Sequence, residues 1–277
     1  MLPLKDNIRT ARFPIVTVVL IVLNFAAFAW ELTLPSDQAS NPGFERAGVS
    51  KRDQAVAEYG AIPYRLTHPG EDCGITGHGG SSTRIVCQGT EEFERANSAG
   101  QVTMLDSPAW WVTVFTAMFL HAGWLHILGN MLFLWIFGNN VEDAIGRLRY
   151  LLFYLLSGIV ATYALAMFTP DATEFLIGAS GAIAGVLGGY ILLHPRARVL
   201  TLIYLVLFIT LVELPAVIVL GLWFILQALP GIGHISIPLL TSGGVAYLAH
   251  VGGFLFGLAM IKPFVRWARG LRARPAA

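Results

Sequence analysis

Four polar residues stand inside otherwise apolar stretches: His126, Asn130, Ser180 and His250. Placing such groups in a bilayer is costly, and each one is a functional hypothesis by default. A serine and a histidine are the minimum set for acyl transfer, one as nucleophile and one as general base. Asparagine and histidine side chains can donate hydrogen bonds to a developing oxyanion. Ser180 falls near the start of its apolar run. There the first-turn N–H groups of a helix lack intrahelical acceptors and the helix dipole is positive.

These residues have to be positioned by membrane helices. Of the 277 residues, 55% are hydrophobic and only 13% are charged, against about 25% charged in soluble domains. That balance excludes disorder and an ordinary soluble enzyme. A span needs ~20 apolar residues as helix. Six spans are predicted: 14–30, 122–141, 150–168, 175–193, one beginning near Glu213 and Pro215, and 245–261. Residues 109–141 form one apolar run too long for a single span. It is divided near His121, leaving Trp110 to Leu120 as an interfacial piece. The run 199–229 is also too long, and 199–212 is expected to be an interfacial segment.

Basic residues set the orientation. Twelve of the 18 lie in the N-terminus, the 142–149 and 194–198 loops and the C-terminus, and the loops at 169–174 and 230–244 hold none. Both termini are therefore expected in the cytoplasm, with the long polar stretch after the first helix outside. That stretch, 31–106, carries 11 of the 17 acidic residues. No basic tract points to nucleic acid. Residues 1–29 could also be read as a cleaved signal peptide, but the apolar run of 17 residues exceeds the usual ~7–15. Cys73 and Cys87 both lie in the outer stretch, as a disulfide or as two free thiols. His68 and His78 flank Cys73 without the spacing of a zinc site, and no metal is expected. Glu142 and Arg147 could pair locally where the second span ends.

Three spans run from outside to inside, and each places its polar residue four to five positions below its outer end. At ~1.5 Å per residue, His126, Ser180 and His250 share a depth of roughly 6–8 Å, with Asn130 one turn below His126. Gly181, Gly185 and Gly189 recur every fourth residue on the Ser180 helix, and Gly253 and Gly257 do so below His250. Small residues at this spacing allow close helix approach.

Gly178-Ala179-Ser180-Gly181 resembles the GxSG motif of the rhomboid intramembrane serine proteases. Ala249-His250-x-x-Gly253-x-x-x-Gly257 is similar to their AHxxGxxxG. His126-Ile-Leu-Gly-Asn130 resembles their HxxxN, with His121 matching the additional histidine of that helix. The resemblance implies a six-helix rhomboid fold, so an all-α, six-helix membrane bundle is expected, to which this sequence adds a long outer loop after the first helix. It also implies a Ser180–His250 dyad, and an oxyanion hole from His126, Asn130 and the Ser180 N–H. The activity it implies is cleavage of the transmembrane segments of other membrane proteins, with no metal, nucleotide or other cofactor.

Two features depart from the family pattern. Val112-Thr113 stands where a Trp-Arg pair is usual. Ala184 stands where an aromatic residue often packs on the catalytic histidine. The resemblance implies a lateral gate at the fifth span with Trp223 and Phe224 as its bulky residues; the other reading is lipid-facing aromatics. The chain is thus divided into 1–33 (cytoplasmic N-terminus and first helix), 34–108 (outer insert), 109–262 (catalytic core) and 263–277 (basic tail). The expected location is a bacterial inner membrane. The alternatives are a catalytically silent relative that binds client transmembrane helices, and a proton-coupled transporter using His121, His126 and His250. The transporter lacks carboxylate partners near those histidines and an evident internal repeat.

Overall fold

A computed structural model describes residues 2–79, 82–205, 208–232 and 246–272. Helices dominate. The first long helix, α1 (Ile15–Thr33), starts after Pro14. Its first turn is capped from far away in sequence: Val16 N–H donates to Glu142 Oε1 at 3.0 Å, and Thr17 N–H and Oγ1 both donate to Oε2 at 2.8 Å. A carboxylate at a helix N-terminus satisfies orphan donors and complements the dipole. Glu142 is buried, and its oxygens are taken up by this cap. The expected Glu142–Arg147 ion pair is absent among the described residues.

The insert follows with short helices α2 (Pro42–Arg46), α3 (Lys51–Tyr59) and α4 (Pro63–Thr67). Next come β2 (Cys73–Thr76), β3 (Arg84–Cys87), α5 (Glu91–Ser98) and β4 (Thr103–Met104). The strands form an antiparallel sheet in the order β3-β2-β4. Phe44, Ile62, Tyr64, Ile75 and Leu105 bury into a separate small core, and a disulfide joins Cys73 to Cys87 across β2 and β3.

The membrane core opens with α6 (Trp110–Thr116) and α7 (Trp124–Phe133). A π-helical stretch, Leu134–Gly138, carries α7 into α8 (Asn139–Ile145). Gly146, at φ +85°, ends this run, because few other residues adopt that conformation without strain. Then come α9 (Arg147–Phe168) and α10 (Ser180–Leu193). The last two helices are α11 (Ala216–Ile232) and α12 (Ala246–Arg272). α1, α9 and α12 are each long and apolar enough to cross a membrane, while α10 and α11 are shorter apolar helices. α12 continues beyond Ile261 through an internal Pro263. The loop at 230–244 lies almost wholly outside the described residues, as does 273–277.

The described residues of 199–212, the segment expected at the interface, are extended rather than helical. They belong to an antiparallel hairpin, β5 (Arg198–Leu205) and β6 (Phe208–Pro215). The N-terminal strand β1 (Leu2–Asp6) adds to it in the order β1-β5-β6. Asp6 pins this sheet to the bundle, accepting from Asn140 Nδ2 at 2.7 Å and from the Tyr190 hydroxyl at 2.6 Å. Burial raises the Asp6 carboxyl above the usual carboxylate range, and the Tyr190 hydrogen bond opposes that shift.

α10 sits at the centre. Its residues from Ala182 to Tyr190 are all buried, and it packs between α9 and α12. A Cβ on Gly253 would collide with the Gly181 carbonyl, and one on Gly257 with the Gly185 carbonyl. Gly185 in turn abuts Ser157 of α9. The glycine register thus puts α12 in backbone contact with α10, which sets the two polar side chains at their ends side by side.

Candidate active site

Ser180 is the first residue of α10, and His250 lies in the second turn of α12. Ser180 Oγ is 2.6 Å from His250 Nε2, within hydrogen-bond range. Both side chains are half-buried. In this geometry the hydroxyl can donate to the ring nitrogen, the arrangement a general base needs to take the serine proton.

His126 and Asn130 approach from α7. A Cβ on Gly178 would lie 2.8 Å from His126 Nε2 and 3.6 Å from Asn130 Nδ2. Both side chains therefore face the backbone that leads into Ser180. Ala122 N–H donates to His126 Nδ1 at 3.4 Å. A neutral imidazole accepting at Nδ1 carries its proton on Nε2, the nitrogen nearer Gly178. The buried Asn130 Nδ2 has no hydrogen-bond partner among the described residues. Two side-chain donors thus stand beside the first turn of α10, whose N–H groups lack intrahelical acceptors.

Gly178 is fixed twice over. Its φ is +113°, and its missing side chain makes room for the His126 ring. Its N–H donates to the Ala117 carbonyl at 2.8 Å. Just before it, Leu176 pairs with Ala61 of the insert, N–H to carbonyl in both directions at 2.8 and 3.0 Å. The segment entering Ser180 is thereby held between the core and the insert.

His121 is buried, with its ring 5.0 Å from that of His126 in an edge-on arrangement. Ala184 is buried in α10. The ring near His250 comes instead from α11, where Trp223 stands 5.9 Å away, tilted by 42°. Trp223 also lies within 6.3 Å of Phe254, and Phe224 stacks on Phe254 at 4.5 Å. Both aromatics thus face α12. Motif spacing did not reveal Glu31 of α1, which is buried and accepts the His121 N–H at 3.1 Å. A lone acidic residue at the end of an apolar run was its only signal. Cys73 and Cys87 lie in the insert core, apart from these groups. No cluster of potential metal ligands occurs among the described residues.

The fold and site define a helical integral membrane protein with a Ser–His pair set between two glycine-packed helices. The family model for the Rhomboid domain matches residues 108–267. Rhomboid protease GluP of Bacillus subtilis is 33% identical over 170 residues, covering 61% of this chain and 29% of that protein. RHOMBOID-like protein 4 of Arabidopsis thaliana is 31% identical over 153 residues, covering 53% and 34%. Rhomboid-type serine protease 2 of Emericella nidulans is 30% identical over 193 residues, covering 67% and 33%. The matched stretch spans about a third of the length of these relatives. The chain belongs to the rhomboid family.

Proposed function

We propose that the protein is an intramembrane serine endopeptidase that cleaves transmembrane segments of other membrane proteins. The observation that carries this reading is the 2.6 Å approach of Ser180 Oγ to His250 Nε2, with the donors of His126 and Asn130 beside the same turn. Ser180 Oγ attacks the scissile carbonyl carbon while its proton passes to His250 Nε2. The carbonyl oxygen becomes an oxyanion, held by Asn130 Nδ2–H, His126 Nε2–H and the Ser180 backbone N–H. Collapse of this intermediate breaks the C–N bond, and the imidazolium returns its proton to the leaving amine. Water then attacks the acyl-enzyme, giving its proton to His250. The second intermediate collapses to release the carboxyl product, and the imidazolium reprotonates Ser180.

The distribution of basic residues favours cytoplasmic termini. The insert and the site then lie at the outer side, where water can reach the acyl-enzyme.

The experiment is fluorophosphonate labelling of the detergent-solubilised protein, paired with cleavage of co-expressed single-span proteins. Labelling and cleavage that both vanish in Ser180→Ala support the reading. No labelling of folded wild-type protein contradicts it and favours the silent, client-binding alternative.

A further inference from the structure

Between the insert and the strand entering the site lies a cleft of about 660 Å³. One wall is Thr173, Glu174 and Phe175; the other is formed by α3, β2 and β3, with Ile75 and Ile85 contributing apolar surface. Three observations specify an occupant. First, the floor is apolar: Ile75 of β2 and Ile85 of β3 are cross-strand partners, so their side chains share one sheet face, and both line the cleft. Second, the rim is acidic. Arg84 is turned onto Glu92 at 2.7 Å, while Asp53 and Glu174 have no cationic partner among the described residues. Third, the wall is continuous with the site: Phe175 precedes Ser180 by five residues. Even fully extended, that distance is no more than about 18 Å.

We propose that this cleft binds the extended, insert-side flank of the substrate itself. The flank lies extended over this face, seats an apolar side chain against Ile75, Ile85 and Phe175, and sets a basic residue near Asp53 and Glu174. Side chains alternate along an extended chain, so the matching flank alternates apolar and basic residues. This inference rests on the endopeptidase reading, and it assigns the insert a part in substrate selection.

The test uses the full chain as Ser180→Ala in detergent micelles. The ligand is a fluorescein-labelled twelve-residue peptide of alternating isoleucine and lysine, and binding is followed by fluorescence anisotropy. Its all-D enantiomer partitions equally into micelles but presents its side chains to the cleft in mirror-image arrangement. The L peptide should bind saturably and the D peptide should not. Combining Asp53→Lys with Glu174→Lys should weaken L-peptide binding by ~10-fold or more and reduce its salt dependence. Thr173→Trp, which fills the cleft without changing charge, should also weaken it, with thermal unfolding of each variant compared with wild type. Equal binding of the two enantiomers, or unchanged affinity in both variants, overturns the proposal. In active protein, appending the flank to a fluorogenic transmembrane peptide should lower KM with kcat unchanged, and the double substitution should remove that gain. Absence of cleavage of the unflanked peptide counts against the endopeptidase reading, and the anisotropy result still decides the cleft.

Discussion

Glu31 Oε1 on α1 accepts the backbone N–H of His121 at 3.1 Å, and both residues are buried. The His121 ring packs edge-on against His126, so α1 holds the loop that packs against the proposed oxyanion donor of α7. Leaving a buried N–H without its acceptor costs about 1–3 kcal/mol. Glu31→Ala should therefore lower the thermal unfolding temperature. It should also lower kcat per labelled active site by roughly 10-fold, if the freed loop costs ~1.4 kcal/mol of oxyanion stabilisation. Glu31→Gln keeps an acceptor oxygen and should recover most of both. Equal activity in Glu31→Ala and wild type would detach α1 from the site.

Gly178 offers a sharper contrast. A side chain there would have to adopt φ +113° and displace His126 Nε2 from 2.8 Å. Backbone strain of this kind costs about 1–3 kcal/mol. Gly178→Ala should remain a folded membrane protein but lose most of its fluorophosphonate labelling rate, because the entering strand and the donor cannot both keep their places. Wild-type labelling in this variant would show that the strand relaxes without consequence.

Gly257 tests the packing that brings Ser180 and His250 together. A Cβ there meets Gly185 backbone atoms, which cannot move aside as a side chain would. Gly257→Val should separate α12 from α10, so activity and thermal stability should fall together. Leu255, on the same helix but exposed, should tolerate change to valine with little effect on either. Full activity in Gly257→Val would place the close contact elsewhere.

The approach of Ser180 and His250 in the candidate site was legible because the motifs that carry them are local. GxSG, AHxxGxxxG and HxxxN each fix a residue type at helical spacing, and a shared depth along three spans brings them together. The hairpin 198–215 was not legible: a long apolar run has no period that separates a buried strand from a helix. Pro215 marked a break there, but the break ends β6 and precedes α11. Glu142 illustrates a different failure. Arg147 is near in sequence, yet the carboxylate caps Val16 and Thr17, more than 120 residues away. Pairing by proximity in sequence misses caps supplied by another element. The insert core also escaped notice, because its apolar residues are scattered among polar ones and close through the Cys73–Cys87 sheet.

Orientation has its own test. With cytoplasmic termini, the insert and its disulfide face the outer side. After reduction, an impermeant maleimide should label Cys73 and Cys87 in intact spheroplasts, provided the reductant loosens the insert enough to expose two buried residues. Fully denatured membranes give the reference for maximal labelling. A single-cysteine reporter placed at Ala277 in a Cys73→Ser, Cys87→Ser background should be labelled only after lysis. Labelling of that reporter in intact spheroplasts would invert the topology.

Asn130 separates a donor from a nucleophile. Its Nδ2 is buried and unpaired among the described residues, beside the Gly178 backbone that leads into Ser180. If it stabilises the oxyanion, it forms no covalent bond, so its removal should slow the reaction without ending it. Loss of one such donor typically costs ~10²–10³ in rate, about 2.7–4 kcal/mol. The remaining His126 and Ser180 N–H donors of the proposed site favour the lower end. Asn130→Ala should therefore lower kcat far more than it changes KM, and should still permit slow fluorophosphonate labelling of Ser180. A purely structural asparagine would instead lower the unfolding temperature and leave the rate per folded molecule untouched. Active-site titration before each rate measurement makes that distinction, and an unchanged kcat per titrated site would remove Asn130 from the mechanism.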